Sequence, residues 1–344
     1  MQLVDNKENN EDDGSYVRDG MAVEDSSDNS VELVDADESD LYPYDLSRER
    51  DILKLLKDEG ENKIAEEIIK HVWGILAGFG FSSECNCIFL MDLNQSMSRN
   101  HAEKIYTYIS SFEQKDKNIV LFLNSRGGRV EPAYLISKIC NKYKKSKFIV
   151  SIPSEAKSAA TLLALGANEV HMGVMSELGP IDPQVDGLPL LSVPSSLDKI
   201  AKLVEQYPGS SSMFSSYLRD NLKIGIIGYY DRITESATQY AQRLIRANSK
   251  KNNKEIEMLA SHFTNHYKDH RFVIDIDEAI ELLGDDMVIP DTDIYKAGSY
   301  ILSFLNTVES IDVLFLNKSR KISLIAEKCY IFDPEDLNLQ VENS

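Results

Sequence analysis

Cysteine is scarce in this chain, with only Cys85, Cys87, Cys140 and Cys329 among 344 residues. Four thiols make no disulfide framework at this length. Cys85 and Cys87 stand ahead of a strand-like run and fit reduced, partly buried thiols better than a metal site. Long apolar runs are lacking too: the longest, Val72 to Phe81, is broken by Gly74, Gly78 and Gly80. It is too short to cross a bilayer, so no membrane span is expected. Basic residues are few, 37 Lys and Arg against 56 Asp and Glu for a net charge of −19. That balance offers no phosphate-binding face, so no nucleic-acid partner is expected. A basic segment leading into an apolar one is missing from the start, which argues against a secretory signal and for a cytoplasmic location. There is no internal repeat.

What is present is uneven. Residues 1–46 hold fifteen Asp and Glu against Lys7 and Arg18, a net of −13, leaving only −6 for the rest. With few large apolar side chains and no periodicity, this acidic tail is expected to be disordered. The remainder, 42% hydrophobic and 27% charged over the whole sequence, has an ordinary globular composition. Residues 47–290 are expected to form one domain and 291–344 a C-terminal extension.

Apolar residues at helical spacing mark helices from Arg48 to Lys57 and Lys63 to Trp73. Strand-length apolar runs follow at Ile88 to Met91, Asn118 to Asn124, Phe148 to Ile152 and Glu169 to Met172, separated by helical segments. Alternation of this kind with short connections predicts parallel βαβ units. The stretch after Met172 looks irregular. Helices are then expected at Phe214 to Asn221, Tyr230 to Ala247, Lys254 to Thr264, Ile276 to Leu283 and Ile294 to Leu305. The fold class is therefore α/β with a helical C-terminal part.

In parallel sheets, functional groups gather in loops at the carboxyl ends of strands. Two loops stand out. Gly127 and Gly128 follow the strongest strand, and adjacent glycines let a backbone turn sharply with its N–H groups turned outward. Ser158 opens a helix of small residues, where N–H groups lack intrahelical partners. A serine there, beside the N–H of Ala159, can attack a carbonyl while amides hold the oxyanion. Alone, each loop reads as a turn or an N-cap; on consecutive strands they should lie side by side.

At these residues the chain resembles the ClpP/crotonase superfamily. More closely it resembles the serine dehydrogenase proteinase (SDH) family, related to signal peptide peptidase A. The likeness is carried by Ala156-Lys-Ser-Ala-Ala-Thr-Leu-Leu-Ala-Leu-Gly-Ala167, Ser176-Glu-Leu-Gly-Pro-Ile-Asp-Pro183 and Tyr229 to Ala237. The stretch His262 to Ala279, with Asp269-His-Arg-Phe-Val-Ile-Asp275, carries it too. The resemblance implies a ClpP/crotonase-like spiral of βαβ units acting as a serine peptidase on peptides or unfolded proteins, without a cofactor and as a homo-oligomer. Ser158 would be the nucleophile, and Gly127, Gly128 and Ala159 would form the oxyanion hole.

The general base is the open position. ClpP has a histidine soon after its serine, whereas this chain has Ile181-Asp182-Pro183 in that window, and His171 falls too early, in a strand. Relatives of signal peptide peptidase A can use a downstream lysine, which singles out Lys223, with Leu222, Ile224, Ile226 and Ile227 as the apolar surroundings needed to lower its pKa. Asp182 is a lesser candidate, as an orienting group. Lys157 is expected to point elsewhere, since adjacent helical residues do not share a face. His262, His266 and His270 are four apart, as metal ligands on one helix face could be, but Lys268 to Arg271 reads as a helix end and no metal is expected. The alternatives are a catalytically inactive scaffold and, further off, a crotonase-type acyl-CoA enzyme, which needs no nucleophile.

Overall fold

The computed structural model describes residues 44–80, 84–112, 116–182, 184–185, 188–189, 192–222, 224–248 and 251–333. The acidic segment expected to be disordered lies outside this set up to residue 43. The chain begins with two helices, α1 (Glu49–Asp58) and α2 (Glu61–Phe79). Then come β1 (Cys85–Asp92), α3 (Arg99–Ser110), β2 (Asn118–Ser125), α4 (Val130–Tyr143), β3 (Phe148–Ser151) and β4 (Glu155–Ala156). The expected alternation continues through α5 (Ala159–Ala164), β5 (Glu169–Met172) and β6 (Glu177–Leu178). A small hairpin, β7 (Gln184–Val185) and β8 (Leu188–Pro189), precedes α6 (Ser192–Gln206), α7 (Ser211–Asn221), α8 (Ile224–Asn248) and α9 (Asn253–Ser261). Last are α10 (Ile276–Leu283), β9 (Val288–Pro290), α11 (Asp293–Leu316), β10 (Lys321–Ala326) and β11 (Lys328–Phe332). Sequence periodicity had left the α6 region irregular; Val193-Pro194-Ser195-Ser196 carries too little apolar patterning to announce a helix.

The main sheet runs β11-β10-β1-β2-β3-β5-β9, with β4 and β6 branching from β2. Strands β1, β2, β3, β5 and β9 are parallel, so their connections must cross over, and helices cover both faces. Side chains alternate along β1: Ile88 and Leu90 enter one core with α3, α4, α5 and α8, while Phe89 and Met91 enter the other with α1, α2 and α11. Burial on both faces explains why β1 and β2 read as continuous apolar runs.

The C-terminal segment is integral to this sheet. Residues 291–344 were expected as an extension, with a helix ending near Leu305 and nothing beyond it. Instead α11 runs to Leu316, and β10 pairs antiparallel with β1, Leu90 opposite Ile325. A buried ion pair locks the connection: Arg320 and Asp312, 7% and 2% exposed, meet through several contacts, and Arg320 Nη2 also donates to Leu56 O at 3.1 Å. Removing one partner leaves a buried charge unmatched, so Asp312→Ala is expected to lower unfolding free energy by about 3–5 kcal/mol in urea denaturation. Against the expectation of no membrane span stands α11, which is long and apolar enough to cross a membrane by length and composition. In this fold its Ala297, Ile301, Leu305 and Val308 are buried in the core shared with α1 and α2.

His171, in β5, is buried, with Nδ1 2.6 Å from Thr292 Oγ1 and Nε2 3.4 Å from Glu169 Oε2. Burial pushes its pKa below the ordinary value despite the pull of Glu169. As pH falls below about 6.5 the unfolded chain takes up a proton that the native state resists, so stability is lost toward acid. The melting temperature is expected to fall between pH 7.5 and 5.5, and less steeply in His171→Gln.

Candidate active site

Strand β2 positions the site. At its carboxyl end Ser125 pairs with Asp92 of β1 on one side and with Ala156 of β4 on the other. The flanks continue past the strand ends. Met97 bridges Gly128 on the β1 side, donating its N–H to Gly127 O at 2.8 Å and accepting from Arg129 N at 3.0 Å. On the β4 side, Gly127 packs against the segment 157–159. A Cβ on Gly127 would stand 2.5 Å from Lys157 O, 2.8 Å from Ala159 N and 3.0 Å from Ser158 Cβ. The two loops that the sequence singles out are therefore in contact.

Both glycines have positive φ, +89° at Gly127 and +147° at Gly128, which other residues adopt only with strain. Because Gly127 O accepts from Met97 N, the N–H of Gly128 across the same planar peptide points away from Met97. Gly127 N–H is held by Ser125 Oγ at 3.2 Å, so Gly127 supplies the close approach while Gly128 supplies the outward donor. Ala159 is the first residue of α5, where a backbone N–H has no intrahelical acceptor.

Ser158 has φ 52° and ψ −117°. A non-glycine residue held at positive φ costs about 1–3 kcal/mol, and such strain persists only where the surroundings over-determine it. Here Lys157 N donates to Ser125 O, Leu162 N donates to Ser158 O, and Thr161 Oγ1 lies 2.6 Å from Ala156 O. The Lys157 side chain is turned away from the cleft, as expected, into an ion pair with Glu177 at 3.1 Å and a hydrogen bond to Leu178 O at 3.3 Å. Lys223 lies outside the described residues.

The group that sequence reading missed is His270. It lines, with Ser158, Asp182, Gly127, Gly128 and Tyr229, a cleft of about 680 Å³. Its Nδ1 stands 3.8 Å from Asp182 Oδ2, and both His270 Nδ1 and Asp182 Oδ1 are buried without a hydrogen-bond partner. The carboxylate is only 2% exposed. Local structure brings the two together: Ile181 N donates to Phe263 O at 2.8 Å, and Leu178 exchanges two backbone hydrogen bonds with Ile274. The loop carrying His270 is thus tied to the Asp182 segment on both sides. Within that loop Tyr267 donates to Glu278 Oε1 at 2.6 Å and stacks on Phe272.

The three histidines do not share a helix face. Residues 262–266 form a π-turn after α9 in which the rings of His262 and His266 stack at 4.2 Å, while His270 has moved into the cleft. Among the described residues there is no group of three His, Cys, Asp or Glu side chains placed to hold a metal.

Residues 82–206, which contain both loops, match the family model of the ClpP-like SDH-type serine proteinases. The match bears out the resemblance read from Ala156 to Ala167 and from Ser176 to Pro183, and with it the α/β ClpP-like fold. Two uncharacterized proteins of Methanocaldococcus jannaschii are similar to parts of this chain. One is 33% identical over 85 residues, 25% of this chain and 29% of that relative. The other is 34% identical over 79 residues, 23% of this chain and 27% of the relative. The chain therefore spans under a third of either relative's length. Among solved structures, a membrane-bound stomatin-specific protease is 16% identical, covering 64% of this chain and 85% of that one at a TM-score of 0.38. ClpP1 from Listeria monocytogenes is 15% identical, covering 64% and 99%, at a TM-score of 0.37.

Proposed function

We propose that the chain is a serine-type peptide hydrolase working through Ser158, His270 and Asp182. Ser158 Oγ attacks the scissile carbonyl and His270 Nε2 takes its proton. Asp182 holds the imidazole through Nδ1, and the N–H groups of Gly128 and Ala159 receive the oxyanion. His270 then returns the proton to the leaving amine, and water repeats the cycle on the acyl-enzyme. The separation of 3.8 Å between His270 and Asp182 must shorten for a hydrogen bond, a tightening common when substrate enters an apo site.

One observation carries this reading: Asp182 and His270, far apart in sequence, face each other at 3.8 Å, with Asp182 Oδ1 and His270 Nδ1 buried and lacking a hydrogen-bond partner, in the cleft that holds a strained serine. A buried polar group left unpaired costs about 1–3 kcal/mol. An inactive scaffold has no reason to keep that cost, and a crotonase-type acyl-CoA enzyme has no need of the serine. The substrate in this reading is a peptide or unfolded protein, and the working unit a homo-oligomer, as the family resemblance implies.

A fluorophosphonate probe tests the assignment. Peptide mapping is expected to find the phosphonyl group on Ser158 in the wild type and in Lys223→Ala, and none in His270→Ala. Labelling that survives His270→Ala and disappears in Lys223→Ala would move the base back to the lysine. No labelling at all, with no casein hydrolysis, would favour the scaffold.

A further inference from the structure

Two buried polar residues outside the cleft have no part in the chemistry above. Asp92 ends β1 and His101 lies in α3; they are 2% and 3% exposed. His101 Nε2 stands 3.5 Å from Asp92 Oδ2. Asp92 Oδ1 accepts from Asn94 N at 2.9 Å and Gln95 N at 3.0 Å. At the other end of the same turn, Ser98 N donates to His101 Nδ1 at 3.1 Å, with Ser98 Oγ 2.9 Å from the same nitrogen. A backbone N–H can only donate, so Nδ1 is the acceptor and the ring proton sits on Nε2, facing the carboxylate. Burial pushes the Asp92 carboxyl pKa up, but its hydrogen bonds outweigh that and leave it below the usual value, a charge kept inside the fold.

What this pair grips is the segment 92–98, and among the described residues the backbone hydrogen bonds that join that segment to the Gly127-Gly128 loop are both made by Met97. Its N–H holds Gly127 O and its carbonyl holds Arg129 N. The peptide between Gly127 and Gly128 has no side chain on either flank, so little else hinders its rotation. Were it to flip, the Gly127 carbonyl would face the cleft where negative charge develops, and the Gly128 donor would be lost.

We propose that Asp92 and His101 are positioning residues that keep the oxyanion hole formed, by holding Met97 against the Gly127 carbonyl. The inference rests on the serine-peptidase reading of the cleft. It differs from a general structural role in what it spares: ground-state peptide binding needs the cleft, whereas a tetrahedral adduct needs the Gly128 N–H as well.

The experiment compares two ligands on the purified full chain, a peptide boronic acid and the corresponding cleaved peptide with a free carboxylate. His101→Ala and Asp92→Asn are first shown to be folded by circular dichroism and melting. Both are expected to bind the boronate about a hundredfold more weakly than wild type, while affinity for the cleaved peptide stays within about twofold. In hydrolysis, kcat is expected to fall by a similar factor with KM little changed. If wild type binds the boronate through Ser158 and the variants bind it equally well, the inference is overturned and the peptidase reading stands. If wild type does not bind the boronate at Ser158, both fall together. Should His101→Ala not fold, the isosteric Asp92→Asn is read by the same outcomes.

Discussion

Replacing Ser158 or His270 by alanine is expected to lower kcat for peptide hydrolysis by about 10⁴- to 10⁶-fold, and replacing both is expected to cost no more than replacing one. In the proposed relay the nucleophile and its base act as a unit: without His270 the hydroxyl would keep its proton, and without Ser158 the imidazole would have nothing to activate. The double variant is the informative one. Two independent contributors would multiply their losses, whereas members of one relay would not. KM should change little in either single variant, because neither side chain provides most of the binding surface. Some rate above the uncatalysed background should remain, since Gly128 and Ala159 still present their amides. Asp182→Asn should also be severely impaired, because an amide can turn its NH₂ toward His270 Nδ1 and favour the wrong tautomer. Equal kcat in wild type and His270→Ala would leave the cleft geometry without catalytic meaning.

Gly127→Ala is expected to be nearly as damaging to activity and, unlike the changes above, to weaken the fold. The new methyl would stand 2.5 Å from Lys157 O and 2.8 Å from Ala159 N, at a φ of +89°. Backbone on both sides must give way. Overpacking and strain of this kind cost about 1–3 kcal/mol of stability. The displaced atoms belong to the nucleophile segment, so a shift of only a few tenths of an ångström would misplace Ser158 and the Ala159 donor together. A loss in kcat of at least about 10²-fold is expected. A thermal melt beside steady-state kinetics checks both parts. An alanine variant that melts normally and hydrolyses peptides at the wild-type rate would show that the contact between the loops is dispensable.

The parts of this site that could be read from sequence are local ones. Gly127-Gly128 after an apolar run and Ser158 before a small-residue helix are each visible within a few residues, because strand ends and helix starts have compositional signatures. In the series β1-β2-β3-β5-β9 all but β9 were legible, β1 and β2 most clearly because burial on both faces makes them near-continuous apolar runs. His270 was not legible as a candidate base. Its partner Asp182 lies 88 residues earlier (270 − 182), and what joins them is backbone pairing of Leu178 with Ile274 and of Ile181 with Phe263, which side-chain periodicity does not encode. The spacing of four between the histidines even pointed away from the cleft, since a π-turn at residues 262–266 is invisible in a 3.6-residue pattern. The nearest available sign was that Asp269-His-Arg-Phe stood inside a stretch that resembles the family, beyond the residues that match its model. The strands β10 and β11 escaped because Lys321 to Ala326 and Lys328 to Phe332 follow a long apolar helix with little turn punctuation between them.

That late hairpin bears on how the molecule is made. Strand β1 is complete by residue 92, yet the neighbour that covers its outer side is not synthesised until residues 321–326. From the completion of β1 until residues 321–326 are made, a growing chain therefore carries an apolar strand with one row of backbone donors and acceptors open to other nascent chains. Contacts that close only after so long a separation form slowly, and until then partly folded chains are prone to aggregate. Production of soluble protein should thus be sensitive to anything that delays or removes residues 321–332. A stop codon after Leu316 is expected to yield inclusion bodies rather than a trimmed but working enzyme.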